Sequence, residues 1–204
     1  MLHKLNKKAV VIIVAVVALI AVVGSTFAWF VTRSSFSQSF GLSSFEVSAD
    51  VYFLDGDKKV KADDYKDENG LYILSVNEED VNYIGNLRAD VIHSGAKSCI
   101  RVTMNHQWTL PDGTVAQNDV AVPYEFSSLW FDNRNVDYSI YYTGEDMSGE
   151  ADFDKAELIK GFDTSAFDTS AMVEGVSVKL LLQVDAVQVN RYPQIWDIEK
   201  FPWE

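Results

Sequence analysis

The chain has 204 residues, 48% of them hydrophobic and 13% aromatic, with 17 Lys and Arg against 30 Asp and Glu, a net charge of −13 and one cysteine. This length and apolar content exclude a disulfide-stapled miniprotein and a disordered segment, and point to one folded domain of ordinary size. The acidic balance argues against nucleic acid as a partner, since a phosphate-binding surface needs clustered Lys and Arg, and a single cysteine excludes an intramolecular disulfide or a cysteine-based zinc or redox site.

Lys4, Lys7 and Lys8 precede fifteen consecutive apolar residues, Ala9 to Val23, followed by Gly24-Ser25-Thr26-Phe27-Ala28. A basic head, an apolar stretch and a small-residue exit in that order make a secretory signal peptide. The apolar character runs on through Trp29, Phe30 and Val31. About 23 residues at 1.5 Å each would also span a bilayer. Two readings follow: cleavage between Ala28 and Trp29, or retention as an N-terminal apolar helix that anchors the chain, with membrane contact confined to residues 9–31. In both, the lysines stay inside and the remainder is secreted, extracellular or at the cell surface. Cleavage removes three lysines and no acid, taking the charge from −13 to −16, which favours solubility.

Residues 29–43 form an arm ahead of the main domain, 44–204. Phe30, Phe36, Phe40 and Leu42 occupy even positions among Ser, Arg and Gly, the pattern of an extended Ser-rich strand with aromatic pegs. From Ser44 to Phe53 the alternation is nearly complete and predicts a half-buried strand. An acidic loop, Asp55 to Gly70, leads to a second strand at Leu71 to Val76. The third, Ser98 to Leu110, turns Ile100, Val102, Met104, His106 and Trp108 to one face and stops at Pro111-Asp112-Gly113-Thr114, which is turn chemistry. Val136 to Thr143 is a fourth. At most one helical turn is expected near Asp152 to Lys160. The last strand, Val176 to Val189, is apolar on both faces around Leu180 to Leu182 and reads as central. Short strands between Gly, Asp and Asn turns predict an all-β antiparallel β-sandwich.

Gly24-Ser25-Thr26-Phe27-Ala28-Trp29-Phe30 resembles the signal-peptide end of the TasA/camelysin family of exported Gram-positive matrix proteins, which is cut by a SipW-type signal peptidase. Downstream, His93-Ser94-Gly95 followed by Cys99-Ile100-Arg101-Val102 resembles that family's Asn-x-Gly turn and following strand, with His93 where Asn is usual. Leu180 to Gln188 and the later Trp196 resemble its closing strand. The resemblance implies a jelly roll. It also implies a structural subunit of matrix or surface filaments in which the arm adds to the sheet edge of another subunit, Phe30, Phe36, Phe40 and Leu42 supplying the pegs. The arm reads alternatively as a strand of its own sandwich or as a plain linker.

Residues for chemistry are sparse. His3, His93 and His106 are the only histidines and no His-Glu-x-x-His occurs, so a zinc-protease site is not expected. His106, on the apolar strand face, reads as a core histidine. Strand alternation turns Cys99 away from it, against a Cys–His nucleophile. Asp55-Gly56-Asp57-Lys58-Lys59 fails the calcium-loop pattern at Lys59. The acids Glu145, Asp146, Glu150, Asp152 and Asp154 read as solvated loop or a weak divalent-ion site. Leu110-Pro111-Asp112-Gly113-Thr114 departs from a sortase signal by exchanging Gly and Thr. Phe162-Asp163-Thr164-Ser165-Ala166 is repeated unchanged at Phe167 to Ala171, and reads as a surface loop covering the sandwich edge or as a partner-binding loop. The expected protein is not an enzyme and needs no cofactor or metal. Its partners are itself, the signal peptidase during export, and matrix or wall components. The alternative is a monomeric tethered module that binds a wall polymer or a protein through Trp130, Tyr141, Tyr142 and Trp203 as exposed aromatics.

Overall fold

A computed structural model describes residues 44–117, 122–167 and 175–204. The signal segment with Ala28 and Trp29, the arm pegs Phe30, Phe36, Phe40 and Leu42, and most of the second Phe-Asp-Thr-Ser-Ala copy lie outside the described residues. In chain order the strands are β1 (Phe45–Asp55), β2 (Lys58–Lys61), β3 (Tyr72–Leu74), β4 (Leu87–Gly95), β5 (Ser98–Thr109), β6 (Val115–Gln117), β7 (Tyr124–Phe126), β8 (Trp130–Asp132), β9 (Ser139–Tyr142), β10 (Lys155–Phe162) and β11 (Ser177–Gln188). They form two antiparallel sheets, one ordered β2-β1-β4-β10-β7 and the other β3-β11-β5-β9-β8, with β6 beside β5.

Period-two patterning decides which side of each strand is buried. In β5 the residues Ile100, Val102, Met104, His106 and Trp108 are buried and those between Arg101 and Thr109 are half-buried. β1 turns Glu46, Ser48 and Asp50 to solvent and the intervening apolar residues inward. The inward sets of both sheets meet in one core that holds Phe53, Leu87, Val91, Val102, Ile140, Leu158 and Leu180. A smaller cluster lies on the outer face of the second sheet. There Cys99 and Tyr141 are covered by Trp196 and Phe201 of the C-terminal segment.

Turn chemistry closes the hairpins. Gly56 at φ +60° sits in the two-residue loop between Asp55 and Lys58, which pair. After β5, the Leu110 N–H donates to the Thr114 carbonyl and the Asp112 carboxylate accepts from the Thr114 N–H. The segment resembling a sortase signal is thus the β5–β6 hairpin loop.

Three expectations need correction. Asp152 to Lys160, where at most one helical turn is expected, contributes β10, paired with β4 on one side and β7 on the other. Its Ala, Glu, Leu and Lys favour helix in isolation, but Ala156, Leu158 and Ile159 are buried by the sheet and a register shift between Glu157 and Ile159 turns two successive side chains inward. Val136 to Thr143 is not all strand: a helical turn covers Arg134–Asp137, Tyr138 takes φ +59°, and β9 follows. Among the described residues β11 is central only over Val178 to Leu180, where three-residue β3 flanks it. In addition β4, whose pattern was not recognised, is the central partner of both β1 and β10.

Leu158→Ala should cost about 2–5 kcal/mol, by lost burial and the cavity left behind. Urea unfolding checks this, with Lys160→Ala on the exposed face of the same strand as a control expected within about 0.5 kcal/mol.

Candidate functional site

The two sheets are not closed to the same extent along their length. β1 pairs with β4 from Phe45 to Phe53, whereas β2 covers its other side only from Tyr52 to Asp55. β11 pairs with β5 over all twelve residues, whereas β3 covers its other side only from Val178 to Leu180. Among the described residues, β1 from Phe45 to Val51 and β11 from Leu181 to Gln188 therefore carry no partner strand on that side. The two stretches belong to opposite sheets, and β1 and β11 approach one another across the layers.

Burial follows the pairing. At the closed end Phe53, Val178 and Leu180 are fully buried. At the open end Val47, Ala49, Leu182, Val184 and Ala186 pack against the same core but are only half-buried. The result is a seam lined by five apolar side chains. Seven or eight residues at 3.4 Å each make it about 25 Å long, the length of one strand. Its rims offer backbone groups suited to a further strand, the usual hazard of an unprotected edge.

The remaining candidates resolve into structure. His106 is buried beside the Tyr124 ring at 5.8 Å between centroids. Complete burial, and secondarily the Arg134 guanidinium, push its pKa down to about 3. Arg134 grips Asp132 with two nitrogens at 2.9 and 2.8 Å and donates to the Val122 carbonyl. Cys99 is buried on the other sheet face, and burial pushes its thiol up to about 12, opposite to what a nucleophile requires. His93 is buried in β4 with Nδ1 3.1 Å from the Phe153 carbonyl oxygen.

The acids are dispersed. Lys97 lies 3.6 Å from Glu150 and 3.8 Å from Asp152, and Asp146 accepts from the Ser148 N–H. Among the described residues no three His, Cys, Asp or Glu side chains converge on a point that would hold a metal ion. No described helix is long and apolar enough to cross a membrane. In the repeat, Phe162 and Phe167 meet edge to face at 5.3 Å, and Phe167 stacks on Trp108 at 6.5 Å. These rings cover the sandwich edge while Asp163 caps the turn through the Ser165 N–H.

The aromatic docking surface is corrected. Trp130, Tyr141 and Tyr142 are buried. Trp130 Nε1 donates to the Glu157 carbonyl, and the Tyr141 hydroxyl donates to Asp137 at 2.7 Å. Trp203 is half-buried, stacked on Phe201 at 4.4 Å. Sequence periodicity does not distinguish a ring facing water from one facing the C-terminal segment. The seam was also missed, because it arises from the shortness of β2 and β3 rather than from a pattern within β1 or β11.

No protein-family model, curated protein or solved structure matches the chain.

An unfolded histidine takes up a proton near pH 6.5 and folded His106 only near pH 3, so the unfolded state gains on the folded one as pH falls through that window. Between pH 7 and pH 4.5 the protein should lose about 2–3 kcal/mol that His106→Leu does not lose. Urea midpoints at the two pH values measure the difference, and equal losses would refute it.

Proposed function

We propose that the chain is an exported structural subunit of extracellular or cell-surface filaments, joined by the insertion of residues 29–43 of one copy into the β1–β11 seam of the next. The observation that carries this reading is the seam: two facing strands that lack a neighbour over part of their length among the described residues, with half-buried apolar side chains between them. One added strand would satisfy both backbone edge and core. The arm suits that place, with Phe36 and Phe40 on one face of an extended chain and fifteen residues reaching about 50 Å. Arg33 is its only charge, against a domain in which acids outnumber bases.

Head-to-tail insertion is a heterologous contact that does not close, so it propagates a fibre. The TasA/camelysin resemblance supports the same reading, including a jelly-roll arrangement of the sandwich, release by a signal peptidase at Ala28 and Trp29, and matrix or wall components as further partners. A role as an enzyme has no comparable support. The tethered binding module loses three of its four named aromatics to the interior.

Residues 29–204 should form filaments under negative-stain electron microscopy as concentration rises, and residues 43–204 should stay monomeric. Phe36→Ser with Phe40→Ser should leave the melting temperature unchanged and weaken assembly about 10²–10⁴-fold, since each buried aromatic contributes about 1.5–3 kcal/mol. Filaments from the double variant at wild-type concentration would overturn the role of the pegs.

A further inference from the structure

The chain after β11 is attached differently from the strands before it. A turn in which the Arg191 N–H donates to the Gln188 carbonyl at 2.8 Å leads into a short helix, Tyr192–Trp196, and on to Glu204. Past that turn, among the described residues, one hydrogen bond joins the segment to the sandwich: the Trp203 Nε1–H donates to the Met147 carbonyl at 3.0 Å, in an exposed position. Packing of rings holds the rest. Tyr192, Phe201 and Trp203 stack in succession, Trp203 meets Phe131 at 5.8 Å and Tyr141 at 6.2 Å, and Trp196 meets Tyr141 at 5.9 Å. The Arg101 guanidinium lies 4.9 Å from the Trp196 ring.

These side chains form an apolar cluster with Cys99 that is separate from the core between the sheets, and among the described residues that core draws on nothing after Ala186. The free energy of a local opening is set by the buried apolar contacts and backbone hydrogen bonds that it breaks. Lifting the segment breaks one small cluster and leaves both ladders and the core as they are. We infer that residues 190–204 form a strap that opens as a unit, uncovering the outer face of the second sheet at Cys99 and Tyr141 while the sandwich stays folded. The strap is independent of the seam and of the arm-insertion reading.

Cys99 reports on the opening. It is the only thiol, it is 1% exposed, and it lies in the cluster beneath the strap, so a reagent reaches it through a lifted strap or through unfolding of the whole domain. Residues 29–204 contain every described strand and both clusters. In dilute solution they are mixed with dithiobis(nitrobenzoate), an aromatic disulfide. The Cys99 thiolate attacks one sulfur, a mixed disulfide forms, and one coloured thionitrobenzoate leaves for each thiol labelled. Rates are read in urea well below the unfolding midpoint.

Labelling through the strap should depend on urea much less steeply than global unfolding does, because the slope follows the surface exposed and the strap exposes little of it. Leu158→Ala weakens the core, which is intact in both the closed and the open form, so its labelling rate should stay within about twofold of the unchanged chain while its urea midpoint falls. Phe201→Ala removes a ring from the strap and should speed labelling about 10–100-fold. A urea slope equal to that of global unfolding, or labelling of Leu158→Ala at least about thirtyfold faster than that of the unchanged chain, would overturn the strap, since the thiol would then be reached only by unfolding the sandwich. If circular dichroism shows Leu158→Ala unfolded, the urea slope of the unchanged chain decides. An unchanged labelling rate in Phe201→Ala would also overturn the inference.

Discussion

The ladder between β5 and β11 is the constraint on which the rest of the structure depends. Twelve residues of each strand pair in one unbroken antiparallel register, from Ser177 with Thr109 to Gln188 with Ser98. One face of this ribbon supplies Ile100, Val102, Met104, Trp108, Val178 and Leu180 to the core. Its other face carries Cys99 and Val187, over which Trp196 and Phe201 settle. A slip of one residue would exchange the two faces. Core, C-terminal cover and seam would all be lost together.

The first sheet is organised around β4 in the same sense. It holds β1 over nine residues and β10 over a shorter run, and all three present an acid at the same level: Asp50, Asp90 and Glu157 stand side by side. Like charges directly opposed are unfavourable. Lys155 offsets this, 2.6 Å from Asp90 and 3.8 Å from Asp50, and the hydrogen bond to Asp90 raises the lysine pKa. The acidic outer face of one sheet and the aromatic cover on the other give the two sides of the sandwich different chemistry.

Much of the fold was legible because it follows from alternation along a single strand. β1, β5 and β11 were located within one or two residues, and the burial of His106 followed from its parity with Ile100 and Trp108. What was not legible depends on neighbours. β10 has the composition of a helix and becomes a strand because β4 and β7 stand on either side of it. β4, with Arg88, Asp90 and His93 among its apolar residues, hides its pattern because Asp90 is buried by a lysine on another strand. Tyr141 and Trp130 look like surface aromatics until the C-terminal segment covers the first and β10 supplies a hydrogen-bond acceptor to the second. The seam belongs to this class, since the length of β3 decides how much of β11 is left without a partner strand among the described residues.

The cover over Cys99 has a chemical consequence of its own. Tyr192, Phe201 and Trp203 stack in succession at 4.1 and 4.4 Å, and Phe201 is seated close against Gly149. Behind them lies the only thiol in the chain, buried and held protonated. A thiol in that state neither attacks a disulfide nor oxidises readily. With the cover in place, oxidation is a slow route to a covalent link through this thiol. Under the assembly proposed above, contacts between copies are then reversible ones.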